Sequence, residues 1–174
     1  LEGISFQGSH LKGPTFFDAN LTDADFSNTK LEFCSFPGAN LTNATFKNAK
    51  IEASNFFKTN LENTNFDGTE LYWILFLGAN YSNAKFQNAK FIKVAFNASE
   101  VTESDVEEAF RLFGERIEKL PAGRRMQIKF GGKVALQTLK AMKLVYGKDI
   151  KSGELYSFTN KIYSSAHDLY EGFK

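Results

Sequence analysis

A large apolar residue returns at every fifth position over the first half of the chain. Phenylalanine takes every second one of these positions: Phe6, Phe16, Phe26, Phe36, Phe46, Phe56, Phe66, Phe76, Phe86 and Phe96. The positions between them hold Leu1, Leu11, Leu21, Leu31, Leu41, Ile51, Leu61, Leu71, Tyr81 and Phe91. An α-helix repeats about every 3.6 residues and a strand about every 2, so neither keeps every fifth side chain on one side. The period therefore predicts a chain that coils.

The residue two positions before a large one is usually small, as at Ala19, Ala24, Thr29, Cys34, Ala39, Ala44, Ala49 and Ser54. A spacing of two puts both side chains on the same side of a short extended segment, and the rest of the unit must then turn a corner. Such a unit is too small to bury its own apolar residue, so it must stack on copies of itself. This is the pattern of a solenoid.

Asparagine recurs every twenty residues, at Asn20, Asn40, Asn60 and Asn80. The half-way positions carry different polar residues: His10, Lys30, Lys50, Glu70 and Lys90. A repeat of twenty but not of ten predicts four sides of five residues for each coil. Equivalent asparagines should then lie about 4.8 Å apart up the stack, a spacing that suits ladders of amide hydrogen bonds.

The triplets Ala19-Asn20-Leu21, Ala39-Asn40-Leu41 and Ala79-Asn80-Tyr81 follow the pattern A-(D/N)-L-x-x. On these residues the chain resembles the pentapeptide repeat family over residues 1–100. The resemblance implies a mainly β fold, a right-handed, quadrilateral parallel β-helix of about five coils. It implies no catalytic motif, because the repeat is a scaffold pattern without shared chemistry.

Residues 101–174 abandon the period of five and suit about three amphipathic helices. The first is predicted to start after Thr102 as its cap, with Phe113 on its apolar face. The second covers much of residues 124–146, and the third follows Gly153. Because amphipathic helices are not stable singly, we expect them to pack together and against the last coil, as a C-terminal α-helical cap or bundle.

Apolar residues also occupy outward positions on two adjacent sides of the predicted coil: Phe17, Phe33, Phe57, Tyr72, Trp73, Leu75 and Leu77. A contiguous apolar patch of this kind usually marks a contact surface. Two interpretations stay open. In the first, the downstream helices fold back over the patch, above all over Tyr72, Trp73 and Leu75. In the second, the patch binds another protein or a second copy of the chain, through Phe17, Phe33, Phe57 and Leu77.

A basic face on the second predicted helix is formed by Arg125, Lys129, Lys133, Lys140 and Lys143. The chain carries a net charge of +1, and residues 1–100 alone carry −2. We favour a solvated or internally paired basic face over an anionic partner such as a membrane surface or a nucleic acid, because neither half of the chain is strongly charged.

The sequence offers little for catalysis. It has two histidines, His10 and His167, and one cysteine, Cys34, which takes a small inward position. No cluster has metal-ligand spacing, and Ser164 and Ser165 lie too close to His167 on one helix for a nucleophilic relay. We therefore expect no enzyme activity, no cofactor and no metal. The chain begins at Leu1, already inside the repeat, which suggests an excised or processed form that leaves upstream targeting signals open. The expected location is the cytoplasm, and the expected source is bacterial.

The function predicted from these features is a non-enzymatic scaffold for protein–protein interaction through an apolar side of the β-helix or through the C-terminal helices. An alternative is a targeting or substrate-recruiting module of a larger bacterial effector or ligase. The chain resembles some bacterial effectors, in which a pentapeptide β-helix is followed by helices that lead into a ligase domain. A third hypothesis is a DNA mimic that binds DNA gyrase. That function needs a strongly acidic rod, and the weak net charge argues against it.

Overall fold

The computed structural model describes residues 1–96 and 102–119. Its regular elements are five strands and one helix: β1 (His10–Lys12), β2 (Lys30–Glu32), β3 (Lys50–Glu52), β4 (Glu70–Leu75), β5 (Lys90–Ala95) and α1 (Glu103–Glu118). The strands form one parallel sheet in the order β1-β2-β3-β4-β5. Each strand pairs with the strand that follows it in sequence, so the chain adds one layer to the sheet every time it winds around. The predicted mainly β parallel solenoid is confirmed.

The pairing repeats every twenty residues. His10 is the partner of Lys30, and Lys30 is in turn the partner of Lys50. About four turns separate β1 from β5. Three further ladders of parallel bridges run beside the sheet and begin with Ser5–Asp25, Thr15–Ser35 and Asn20–Asn40. Four ladders at offsets of five residues divide each turn into four segments, as the recurrence of asparagine predicted.

The interior is made of stacked phenylalanine rings. Phe26 and Phe46, one turn apart, lie parallel with ring centroids 4.7 Å apart and an interplanar angle of 3°. Phe36, on the opposite side of the coil, meets the Phe26 ring edge to face at 5.9 Å and 86°. These rings have no exposed surface. Aromatic pairs of this kind contribute about 0.5–1.5 kcal/mol each beyond the burial of their area. The residues that the period of five predicted to point inward therefore form the core.

Small inward residues connect consecutive turns through hydrogen bonds. The buried hydroxyls of Thr59 and Thr69 donate to the carbonyl oxygens of Phe36 at 2.7 Å and Phe46 at 2.8 Å. Cys34 is buried in the equivalent position, as predicted for a packed thiol. A buried hydroxyl costs free energy unless it is hydrogen-bonded, and the stack of turns supplies the carbonyl that each one needs.

The predicted asparagine ladder is present on one side of the solenoid. The amide of Asn60 donates to the side-chain oxygen of Asn40 at 3.2 Å, and the amide of Asn80 donates to that of Asn60 at 3.0 Å. The side-chain oxygen of Asn40 also accepts a hydrogen bond from the backbone N–H of Thr42. Each asparagine therefore stabilises both its own turn and the next layer.

Candidate functional site: an aromatic corner that binds helix α1

The corners of the solenoid share one backbone conformation, with positive φ at every fifth residue. Two of the four corner columns use only glycine, asparagine and aspartate, and a third departs from this rule at Lys58. The fourth column begins with Gly13. It continues with Phe33, Ala53, Trp73 and Lys93, whose φ angles are 55°, 49°, 56° and 54°. The left-handed region costs roughly 1–2 kcal/mol for a residue with a Cβ. Bulky side chains in this region are strained, and such strain is concentrated at functional sites. We call Phe33, Ala53 and Trp73 the aromatic corner.

Helix α1 lies along this corner, parallel to the long axis of the solenoid. Its Glu108 approaches Lys93 of the fifth layer at 3.7 Å, and its Arg116 contacts Glu52 and Glu32 of the third and second layers. Eight helical residues rise about 12 Å, and two and a half layers of parallel strands span about 12 Å. The two lengths agree. Helix α1 therefore runs from the fifth layer towards the second, opposite to the direction in which the chain adds layers.

Phe113 of α1 fills a notch between two rings of the aromatic corner. Its ring centroid lies 5.8 Å from that of Phe33 and 6.0 Å from that of Trp73, with interplanar angles of 86° and 87°. Phe33 and Trp73 belong to the second and fourth layers, and the layer between them has only the methyl group of Ala53 at this corner. Phe113 is 6% exposed, so the notch buries almost the whole side chain.

Arg116, one helical turn after Phe113, binds two stacked carboxylates. Its Nη1 and Nη2 donate to Oε1 and Oε2 of Glu52 at 2.9 and 3.0 Å, and Nη2 lies 2.8 Å from Oε2 of Glu32. The guanidinium carbon also lies 5.1 Å from the ring centroid of Phe33 and 5.5 Å from that of Phe113. The fork of an arginine matches a carboxylate in plane and stacks on aromatic faces, which an ammonium group does not do equally well.

The electrostatics of the cluster favour the ionised forms. Burial of Glu32 opposes its ionisation, but hydrogen bonds from Lys30 and Arg116, together with their charges, outweigh it and lower the pKa of Glu32 to about 2. The Nε2 atom of His10 also lies 3.3 Å from Glu32. Hydrogen bonds to Glu52 and Glu32 raise the pKa of Arg116. The cluster is therefore an ion-pair network rather than a proton-transfer site.

The structure places the predicted apolar residues in two groups. Trp73 lies under α1, in agreement with the interpretation that a downstream helix folds back over it. Phe33, a candidate residue of the partner-binding interpretation, is only 3% exposed. Phe113 and Arg116 of α1 lie directly on its ring.

The remaining predicted residues lie beside the corner and on the next side of the solenoid. Phe17 is 40% exposed, whereas Phe57, Leu77, Tyr72 and Leu75 are half-buried. The ammonium groups of neighbouring lysines lie 5.3 Å from the ring centroids of Tyr72 and Phe57. We call Phe17, Phe57, Tyr72, Leu75 and Leu77 the apolar band.

Other predictions fall outside the described residues. The basic face of Arg125, Lys129, Lys133, Lys140 and Lys143 lies there, as do the second and third predicted helices. Helix α1 corresponds to the first predicted helix and begins directly after Thr102, its predicted cap. Its described contacts run along the side of the solenoid, whereas the sequence analysis expected packing on the last coil. Two inward residues of that coil, Tyr81 and Phe91, are each 45% exposed.

Sequence reasoning missed the polar half of the site. Glu32, Glu52 and Arg116 were not among the predicted contact residues, and Ala53 was read as part of an apolar column rather than as a gap. Two signals were present in the sequence. Acidic residues stand twenty positions apart in one column, and aromatic residues replace asparagine or glycine in the neighbouring corner column.

Within residues 1–96 and 102–119, no group of histidine, cysteine, aspartate or glutamate side chains is arranged to hold a metal ion. No helix in the same part of the chain is long and apolar enough to cross a membrane.

Comparison with known proteins agrees with the geometry. The sequence profile of the pentapeptide repeat region matches residues 29–106. These residues cover β2 to β5 and the start of α1, so the match falls on the repeat region that the structure shows as a solenoid. No curated protein sequence matches the chain.

Several solved structures are similar to the chain. A pentapeptide repeat protein from the thylakoid lumen of Arabidopsis thaliana is 25% identical over 52% of this chain and 60% of its own, with a TM-score of 0.37. QnrB1, a plasmid-mediated fluoroquinolone resistance protein, is 20% identical over 53% and 55%, with a TM-score of 0.43. HetL from the cyanobacterium Nostoc, which is involved in regulating heterocyst differentiation, is 19% identical over 55% and 54%, with a TM-score of 0.30. The chain spans little more than half the length of these proteins.

Proposed function

We propose that the protein is a non-enzymatic scaffold that binds other protein segments through the lateral surface of its β-solenoid. The observation that carries this proposal is the aromatic corner, where three layers of the solenoid hold a helix by a ring in a notch and by a guanidinium on two carboxylates. We also propose that the solenoid is a right-handed four-sided β-helix and that a C-terminal helical domain completes the protein.

The rigidity of the solenoid suits this role. The contact residues of the corner stand on strands or tight corners whose inward neighbours Leu31, Ile51 and Leu71 are fully buried. A surface that is already ordered loses little conformational entropy when it binds, so more of the contact energy appears as affinity. The apolar band extends this surface through Phe17, Phe57 and Leu77. The gyrase-binding and recruiting-module hypotheses stay predictions, because no contact in the described site favours either.

The test compares the apolar band with the opposite, polar side of the solenoid. The full chain is made with Phe17→Ser and Phe57→Ser together, and a matched control carries Gln7→Ser and Lys47→Ser, which occupy the corresponding coil positions ten residues earlier. Oligomeric state is measured by light scattering, and bound proteins are identified by crosslinking and mass spectrometry.

We expect the band variant to lose its oligomeric or captured partners and the control to keep them. If both variants retain the same partners and the same oligomeric state, with an unchanged circular dichroism spectrum, the apolar band is not a binding surface.

A further inference from the structure

We infer that the aromatic corner and the carboxylates of Glu32 and Glu52 form a separable receptor for a helix that carries phenylalanine and, three residues later, arginine. Helix α1 is the intramolecular occupant of this receptor, and a partner helix with the same pair of residues competes with it. The inference rests on the proposed scaffold function and specifies the chemistry of its partner.

The carboxylates are arranged to receive a guanidinium. Glu32 and Glu52 are register partners on adjacent strands, so their backbones lie about 4.8 Å apart. Stacked like charges destabilise each other unless a cation lies between them. Lys30 forms an ion pair with Glu32. The guanidinium group of Arg116 binds both carboxylates, with two hydrogen bonds to Glu52 and an ion pair to Glu32. The side chain of Glu32 is only 6% exposed, so this carboxylate is a buried part of the site.

The apolar part of the receptor also belongs to the solenoid. Phe33 and Trp73 keep their left-handed corner conformation at a cost that asparagine or glycine would largely avoid. Ala53 leaves the space between them for one ring. A helix side chain that enters this notch meets aromatic edges above and below, which favours another aromatic ring in the T-shaped arrangement observed.

The spacing of the two features selects a helix. Residues three apart lie on the same face of an α-helix, so Phe113 and Arg116 reach the notch and the carboxylates together. Arginine is required rather than lysine, because the two parallel hydrogen bonds to Glu52 and the stacking on Phe33 depend on a planar fork.

The described contacts of α1 with the solenoid are concentrated in this pair. Among the α1 side chains that the structure describes, Arg111, Glu115 and Glu118 are exposed and Leu112 is 46% exposed. The ion pair of Glu108 with Lys93 is long, at 3.7 Å. A partner helix with the same two anchors competes with α1 against a tether that gives α1 an effective concentration on the order of millimolar.

The test uses a fluorescent peptide with the sequence of residues 103–118 and measures its binding by fluorescence anisotropy. The receptor is vacated in the full chain by Phe113→Ala with Arg116→Ala, and by the milder Arg116→Lys alone. We expect the peptide to bind the vacated chain at least tenfold more tightly than the wild-type chain. A control peptide with lysine in place of its arginine is expected to bind the vacated chain at least tenfold more weakly.

Two results would overturn the inference. One is that the peptide fails to bind both vacated chains although circular dichroism shows an intact solenoid. The other is that the arginine and lysine peptides bind equally. Adding Ala53→Phe to the vacated chain must also abolish binding, since it fills the notch. Loss of partners in the apolar-band experiment is independent of these results, so the scaffold proposal and the receptor inference fail separately.

Discussion

Two corners of the solenoid have the same backbone and opposite chemistry. The corner of Asp23, Asn43 and Asn63 and the corner of Phe33 and Trp73 have φ angles between 55° and 59°. Asparagine and aspartate tolerate the left-handed region because their short polar side chains bond locally, whereas phenylalanine and tryptophan do not. The asparagine corner therefore follows the demands of the repeat. The aromatic corner departs from them at the place where a helix binds, which indicates that stability was exchanged for recognition.

The largest effect is expected in the core that both corners share. Phe46→Ala removes a ring with no exposed surface that stacks on Phe26 and Phe66. Large-to-small changes of buried phenylalanine cost about 3–5 kcal/mol, and the loss should appear as a lower midpoint of urea unfolding followed by circular dichroism. An equally large loss from Phe17→Ala, whose ring is 40% exposed, would contradict the assignment of inward and outward positions.

The next effect should be confined to the aromatic corner. Arg116→Ala leaves the carboxylates of Glu32 and Glu52 without their shared cation, and losing such charged hydrogen bonds costs about 2–3 kcal/mol. We expect α1 to lose protection in hydrogen exchange while the strands keep theirs. Arg111→Ala, on the exposed surface of the same helix, is the control. Equal losses in strands and helix would show that α1 is part of the cooperative unit of the core.

Acid should weaken the same contact. The folded-state pKa of Glu32, at about 2, lies below its ordinary value of 4.5, so its contribution is complete above pH 4.5 and is lost as the pH falls towards 2. Protonated Glu32 no longer forms ion pairs with Arg116 and Lys30, whereas Arg116 keeps its contacts with the rings of Phe33 and Phe113. The effect should therefore be smaller than that of Arg116→Ala. Hydrogen exchange of α1 across this pH range measures it, and Glu32→Gln should flatten the profile. A profile unchanged in Glu32→Gln would assign the pH dependence to another group.

The smallest effects come from exchanging residues between the two corners. Asn43→Phe puts a bulky side chain into the left-handed region without a helix to bind, and should cost roughly 1–2 kcal/mol in urea unfolding. Phe33→Asn should leave the stability of the strands unchanged or raise it, while the protection of α1 falls because Phe113 and Arg116 lose a ring. If Phe33→Asn instead destabilises the strands as much as Asn43→Phe does, the two corners do not differ in the way proposed.

The sequence by itself determined the solenoid. Phenylalanine at every tenth position and asparagine at every twentieth predicted the inward rings and the amide ladder, because each unit of five repeats one local environment and makes its main contacts with the layers above and below it. The resemblance to the pentapeptide repeat family, whose model matches residues 29–106, rested on the same triplets.

Only the tertiary structure decided how the apolar band is used. The sequence left the patch that includes Trp73 and Phe33 open between a covering helix and a partner. The position of α1 depends on contacts between residues far apart in the chain, such as Arg116 with Glu52 and Glu32. No period links those residues, because α1 belongs to no repeat. Periodicity reports which side chains share an environment, and the pairing of one surface with another depends on shape and charge that appear only after the chain has folded.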